Sequence, residues 1–318
     1  MPDAGRAVTE APGAPLVSVV LPTYNRGTLL ARSALSVLEQ SYQDLELIIV
    51  DDGSIDETAS VISSLLRFDN RVRSLAHETN CGANAARNKG IAHSRGSLIA
   101  FQDSDDIWAP DKLQRQVTTI LREGAKVCFC ALKKETPRGW QVIPKPAYGI
   151  KPGLEHREKE VLEGSFVSCQ TLVIERELLM ALGGFDTNLP RLQDWELAIR
   201  LSRRAPLYYI PEILVSVTTR SDSISGNPAL LADAVEKIVM KHQSAFRAHK
   251  LAAGILFVNS GLALLRWHET TGFRFLLRGL RLASFRTPSV LGLLLRRSRT
   301  PHVGVLQSPG ERSRNFNA

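Results

Sequence analysis

The chain has few cysteines, no long apolar run and no basic-aromatic strip in its first 250 residues, and each shortage removes a class of protein. Its four cysteines, Cys81, Cys128, Cys130 and Cys169, include no Cys-x-x-Cys pair and no metal-ligand spacing with the seven histidines. That excludes a zinc ribbon or a disulfide framework, and predicts reduced, mostly buried thiols in a cytoplasmic protein. No apolar run reaches the ~18 residues of a spanning helix, so a bilayer crossing is not expected. The segment Met1 to Pro15 is rich in Ala, Pro and Gly and lacks the apolar core of a signal peptide; residues 1–14 are read as a flexible leader.

What remains is ample for folding. At 318 residues and 44% hydrophobic content, the chain can bury a large core as one α/β domain with an appendage or as two smaller domains. The formal charge of +8 is confined to one end. Residues 1–250 carry 30 Lys+Arg against 30 Asp+Glu, while residues 251–318 carry 10 Arg against Glu269 and Glu311. The neutral body, without a basic-aromatic strip, argues against nucleic acid as its partner, whereas a basic tail fits nucleic acid, anionic lipid or an acidic partner, and charge alone does not choose.

From Leu16 to Leu98 short β-branched runs alternate with longer amphipathic ones, the pattern of β-α-β units on a parallel sheet. Strands are predicted at Val17–Leu21, Leu45–Val50, Val72–Ala76 and Leu98–Gln102. Helices are predicted across Leu29–Gln40, from about Asp56, and over Gly82–Ala92. Helix Lys112–Arg122 and strand Lys126–Leu132 extend the sheet. Residues 133–163 lose periodicity and gain Pro, Gly and charge, so a long mobile insertion over the site is expected. Order returns with a strand at Ser168–Ile174, a short helix near Glu177–Leu182 and a helix around Trp195–Ser202. Two helices over 229–249 and 251–267 follow, then a third at Phe273–Phe285 with Arg274, Arg278 and Arg281 on one side.

The segment Leu98-Ile99-Ala100-Phe101-Gln102-Asp103-Ser104-Asp105-Asp106 ends an apolar strand in three carboxylates within four residues. Such a cluster at the carboxyl edge of a sheet suits a divalent cation, Mn²⁺ or Mg²⁺, holding a diphosphate. A solvated loop that caps the helix from Asp111 fits the same residues.

Four motifs in order decide between them: Val19-Val20-Leu21-Pro22-Thr23-Tyr24-Asn25-Arg26, Ile49-Val50-Asp51-Asp52-Gly53-Ser54, Asn80 to Gly90, and Phe101 to Asp106. Together they resemble the family 2 glycosyltransferases. That resemblance implies an α/β GT-A fold, a Rossmann-like sandwich on a mainly parallel central sheet, with C-terminal helices outside it. It also implies a domain over 15–225, in which 15–124 form a nucleotide-sugar half and 125–225 an acceptor half. A helical basic region over 226–299 and a flexible tail over 300–318 complete the chain.

By the same resemblance Pro22, Thr23 and Tyr24 line the nucleobase and ribose, and Asp52 accepts a hydrogen bond from the base, often uracil. Asp105 is implied as the direct metal ligand, and Asp103 as a ribose contact or a second, water-mediated ligand. Arg87 either contacts phosphate or pairs structurally with a carboxylate, and Asn88 fits tying down a loop. For an inverting transfer the implied base is Asp194, although Gln193 stands where the family usually has Glu; a plain helix cap fits Asp194 too. Trp195 either stacks on an acceptor sugar or belongs to the core.

Processive members usually carry Gln-x-x-Arg-Trp. Here Ala263 takes the glutamine position before Arg266-Trp267, which favours transfer of a single sugar. The expected reaction is therefore metal-dependent and inverting, from a nucleotide-sugar, UDP-linked by the resemblance, to a glycan or lipid-linked hydroxyl in cell-surface polysaccharide synthesis. The alternative is a GT-A-like domain that binds a nucleotide-sugar or nucleic acid without turnover. The basic C-terminal helices either lie against an anionic membrane, making the enzyme peripheral on its inner face, or pack as ordinary helices with arginines in solvent.

Overall fold

The structure, a computed structural model, describes residues 13–136, 139–144, 149–218 and 228–283. The expected leader up to residue 12, the boundary near 225, the region 284–299 and the tail 300–318 lie outside the described residues.

The first half repeats strand and helix: β1 (Val17–Thr23), α1 (Gly27–Leu38), β2 (Leu45–Asp51), α2 (Thr58–Phe68), β3 (Val72–Ala76), α3 (Ala83–Ala92) and β4 (Leu98–Phe101). These four strands are parallel, in the order β3-β2-β1-β4. All seven residues of β1 are buried because both sheet faces are covered. Val17, Val19 and Leu21 pack with Leu30, Ala34 and Val37 of α1, while Val20 turns to Ala86 and Ile91 of α3. Each such aliphatic side chain contributes about 1.5–3 kcal/mol on burial.

The second half continues the sheet with mixed direction. Its elements are β5 (Ile107–Trp108), α4 (Lys112–Glu123), β6 (Val127–Thr136), β7 (Gly139–Ile143), β8 (Gly153–Glu155), α5 (Glu158–Glu163), a 3-10 turn at Cys169–Thr171, β9 (Leu172–Glu175), α6 (Arg176–Ala181), α7 (Gln193–Ser202) and β10 (Leu207–Val217). β9 inserts antiparallel between β4 and β6, and β10 runs parallel to β6. One ten-stranded sheet results, in the order β3-β2-β1-β4-β9-β6-β10-β5, with β7 on β6 and β8 on β10.

Two sequence expectations need correction. The segment 133–163 is not a structureless insertion: β6 runs on to Thr136 and forms a hairpin with β7, and β8 and α5 follow. Its charge misled, because Lys133 spreads over the Trp140 ring, 4.9 Å from its centroid, on a half-exposed ribbon. Strand β10 was missed because Pro211 and two register shifts around Ile213 break its alternation.

Four helices close the described chain: α8 (Pro228–Lys241), α9 (Gln243–Ala248), α10 (Lys250–Arg266) and α11 (Thr271–Ala283). α10 and α11 meet almost backbone to backbone. A Cβ at Gly261 would sit 2.8 Å from the Gly272 carbonyl oxygen, and one at Gly279 2.7 Å from the Val258 nitrogen. No helix among the described residues is long and apolar enough to cross a membrane.

One buried carboxylate fastens these helices to the sheet domain. Glu196 in α7 has no solvent exposure and accepts from Arg200 at 2.7–3.0 Å, His242 Nε2 at 2.9 Å and Lys241 Nζ at 2.9 Å. The His242 and Arg200 hydrogen bonds outweigh burial and hold its pKa at about 2. Because the folded pKa lies below the ordinary value of 4.5, the linkage contributes stability above about pH 4.5 and loses it as pH falls toward 2. Glu196→Ala leaves two cations and a histidine without their shared acceptor and should cost about 3–5 kcal/mol. Denaturant unfolding at neutral pH, repeated at pH 3 where the difference should shrink, checks this.

Candidate active site

The carboxyl ends of β1, β2 and β4 share one edge of the sheet, where open α/β sheets bind ligands. Two loops are sewn together there. The Ser54 hydroxyl accepts from the Asn25 N–H at 2.9 Å, and the Asn25 side-chain oxygen accepts from the Ile55 N–H at 2.9 Å. Pro22 and Thr23 are buried in the end of β1, Tyr24 is exposed, and the Thr23 hydroxyl has no hydrogen-bond partner. Thr23 contributes its carbonyl to the Asp52 N–H at 2.9 Å.

Asp52 is buried, and its carboxylate is already occupied by protein. It accepts from the Cys81 N–H at 3.0 Å and the Gly82 N–H at 2.7 Å, and lies 2.7 Å from His77 Nδ1. Of its roughly four lone-pair sites, three are filled. Asp52 therefore shapes the 77–82 loop, and one acceptor position is left for anything beside it. His77, which the sequence reading passed over, is its partner. The donor atoms of Asp52, His77 and Cys81 lie within 4.8 Å of one another.

Around the acid cluster the charges are arranged by burial. Arg87 in α3 is buried and donates to Asp103 Oδ1 at 2.7 Å. Its guanidinium carbon lies 5.4 Å from the Phe185 ring centroid. Burial alone would lower its pKa, but the charge of Asp103, the Asp103 hydrogen bond and the field of Asp194 oppose that and raise it. Its Nε and Nη1 are buried without a hydrogen-bond partner. Both expectations for Arg87 are thus compatible with its place: it pairs with a carboxylate and retains two donors.

Asn88, one residue on, ties down a loop. Its side chain donates to the Phe185 carbonyl at 2.8 Å and accepts from the Phe185 N–H at 2.8 Å. Gly184, at φ +68°, leaves room for that amide, since any Cβ there would collide with it. Asn84 donates to the Asp186 and Leu189 carbonyls, so one face of α3 orients the chain leading to α7.

Asp103 and Asp105 are partly exposed, whereas Asp106 is buried. Burial, then the negative fields of Asp103 and Asp105, push the Asp106 pKa up to about 9, and Gln170 donates to its Oδ2 at 2.9 Å. The Ser33 hydroxyl holds the Asp103 carbonyl at 2.7 Å. Such excess negative potential on an all-oxygen set fits a hard divalent cation and not zinc. Among the described residues the three aspartates do not close into a three-ligand cage. A Mg²⁺- or Mn²⁺-sized ion would therefore take further oxygens from a ligand such as a diphosphate.

Asp194 lies in the first turn of α7, two residues after Leu192, which has a left-handed conformation at φ +63°. That geometry is costly for leucine and fixes the entry of the helix. Desolvation raises the Asp194 pKa to about 6; the Trp195 N–H, 2.8 Å from Oδ1, and the Arg87 charge oppose it. Arg87 and Asp103 both act on Asp194 electrostatically, so the sequence-distant acids share one site.

Trp195 is not part of that site. It is 1% exposed, donates through Nε1 to the Val161 carbonyl at 2.5 Å, and packs edge-on against Phe246. The acceptor-stacking alternative is corrected to core packing, because adjacent residues of a helix diverge by about 100° and Trp195 turns into the core, away from the side of α7 that carries Asp194. Glu196 and Gln170 were also missed; a buried acid inside an amphipathic pattern carries no periodic signal.

Comparison with known proteins bears on this geometry. The profile described as glycosyl transferase family 2 matches residues 18–183. The chain is 29% identical over 218 residues to a putative teichuronic acid biosynthesis glycosyltransferase, TuaG, of Bacillus subtilis, covering 67% of this chain and 82% of that protein. It is 34% identical over 165 residues to the Escherichia coli UDP-Glc:alpha-D-GlcNAc-diphosphoundecaprenol beta-1,3-glucosyltransferase WfgD, covering 52% of this chain and 62% of that one. An uncharacterized Haemophilus influenzae glycosyltransferase, 34% identical, is matched over 65% of its length.

Among solved structures, S. aureus TarS 1–349 in complex with UDP-GlcNAc superposes with a TM-score of 0.67 at 19% identity, over 87% of this chain and 83% of that one. The mannosyltransferase PcManGT of Pyrobaculum calidifontis, in complex with GDP-Man and Mn²⁺, gives 0.62 at 19% identity, over 90% and 80%. The fold is that of these GT-A glycosyltransferases. With the profile spanning β1 to the Gly183-Gly184 turn, the chain belongs to glycosyl transferase family 2.

Proposed function

We propose that the protein transfers one sugar from a nucleotide-diphosphate sugar, of the UDP class, to a hydroxyl of a glycan or lipid-linked acceptor, with inversion. The observation that carries this reading is Arg87: a buried guanidinium beside Asp103 with two donors unpartnered. A diphosphate would satisfy both, and beside Asp103 and Asp105 it would bind together with a divalent cation that offsets the added negative charge.

In this reading Pro22, Thr23 and Tyr24 border the base and ribose, and Asp52 offers its remaining lone pair to a base N–H while holding the 77–82 loop. Asp105, assisted by Asp103, would hold Mn²⁺ or Mg²⁺, which when bound supplies charge neutralisation for the leaving diphosphate. Arg87 holds the phosphate oxygens, and its pairing with Asp103 keeps that carboxylate oriented. Asp194 takes the proton from the acceptor hydroxyl as the new bond to the anomeric carbon forms and the bond to diphosphate breaks.

The relatives' names support a role in cell-surface polysaccharide synthesis: teichuronic acid for one, a diphosphoundecaprenol-linked acceptor for another. A lipid-linked acceptor would place the enzyme at the inner face of a membrane, with the basic C-terminal helices toward it.

Incubating the full chain with Mn²⁺, a panel of nucleotide-sugars and a lipid-linked sugar should release nucleoside diphosphate with one donor. Tight binding of a donor without release from any would instead support a binding protein.

Asp194→Asn should preserve donor affinity and lower transfer about a hundredfold or more. A base is active when deprotonated, so wild-type transfer should climb with pH through about 6 and fall about tenfold per unit below it. A pH–rate series on both proteins tests this, and a flat wild-type profile would place the base elsewhere.

A further inference from the structure

The helical region carries a second site that the transfer chemistry does not use. Residues 237–283 contain eight Lys and Arg against a single acid, Glu269. Three of those cations are spent on carboxylates: Lys237 on Asp233, Lys241 on Asp186 and Glu196, Arg274 on Glu236. Arg247, Lys250 and Arg278 have no carboxylate partner among the described residues, and all three line one groove of about 240 Å³ between α8, α9, α10 and α11.

The groove is built for an amphiphile. Its floor is Phe246 and Phe257, both buried, and the Arg278 guanidinium lies 4.3 Å from the Phe257 ring centroid. Its rim is Met240, 74% exposed, and Leu282, 36% exposed. Phe273 at 61% and Leu277 at 57% exposure lie on the other flank of α11, away from this groove. Large rim side chains so exposed next to unpaired cations lack any folding rationale, since the opposite face of α11 already packs on α10 through Phe275, Gly279 and Ala283.

We infer that this groove docks on an anionic phospholipid surface, with Arg247, Lys250 and Arg278 on lipid phosphates and Met240 and Leu282 among the upper acyl carbons. The groove favours a lipid over a nucleic acid: its two phenylalanines are buried, and the exposed residues beside the cations, Met240 and Leu282, are aliphatic and offer little for a base to stack on. The inference deepens the reading of a lipid-linked acceptor and rests on it for its purpose. Lys241 and His242, at the end of α8, reach Glu196 two residues from Asp194. A lipid seated here would thus lie on the helices that brace α7.

The test is flotation of the full chain with vesicles of phosphatidylcholine alone and with about 30 mol% phosphatidylglycerol. The wild type should partition to the anionic vesicles and be released by salt. Arg247→Gln/Lys250→Gln/Arg278→Gln should lower partitioning about a hundredfold, and Met240→Ser/Leu282→Ser should lower it independently. Circular dichroism and nucleotide-sugar hydrolysis without vesicles establish that each variant is folded.

Equal partitioning of wild type and triple variant would overturn the inference. So would variant-sensitive binding to a single-stranded oligonucleotide with no vesicle retention. Hydrolysis unchanged in a wild type that ignores vesicles would sink this inference and spare the transfer reading. Groove-dependent flotation by a protein that turns over no donor would do the reverse.

Discussion

A guanidinium buried at the edge of a sheet must be balanced by negative charge, and around Arg87 the rest of the site is arranged. Asp103 pairs with it directly at 2.7 Å, and Asp194 acts on it through space. These groups come from the loop after β4 and from the first turn of α7, segments far apart in the chain. A buried cation of this kind is costly alone and costly to leave half satisfied. Its two buried donors without partners are therefore the feature that the proposed diphosphate would satisfy.

Precision around Arg87 comes from its neighbours on α3. Asn84 and Asn88 grip the chain from Phe185 to Leu189, which leads into the strained Leu192 and so to Asp194. Behind α7, Glu196 gathers Arg200, Lys241 and His242, so the C-terminal helices brace the same element. Arg200 in turn donates to the Leu182 and Gly184 carbonyls, closing the loop back to Asn88. α3, α7 and the C-terminal helices are therefore joined by hydrogen bonds of buried polar groups and not by hydrophobic packing alone.

Much of the fold was legible because the first half obeys a regular period. Val72–Ala76 was read with its observed bounds, and the other early strands within one or two residues. The acid cluster was legible for the same reason, as an abrupt end to an apolar strand. Strand β10 was hidden by Pro211 and its bulges, and the hairpin of β6 and β7 by charges that sit on its exposed side. The antiparallel insertion of β9 is a tertiary choice with no local signature. Trp195 illustrates the same limit: its motif position said nothing of which way the ring turns, and packing against Phe246 decided it.

The central claim is that Asp103 and Asp105 receive a cation jointly with a diphosphate held by Arg87. Calorimetric titration of Mn²⁺ into the full chain, with and without a nucleoside diphosphate, examines it most directly, using the wild type and Asp105→Ala. The account predicts that the nucleotide raises wild-type Mn²⁺ affinity by about tenfold or more, and that Asp105→Ala abolishes the gain while the protein stays folded. Equal Mn²⁺ affinity with and without nucleotide, or an undiminished gain in Asp105→Ala, would contradict it.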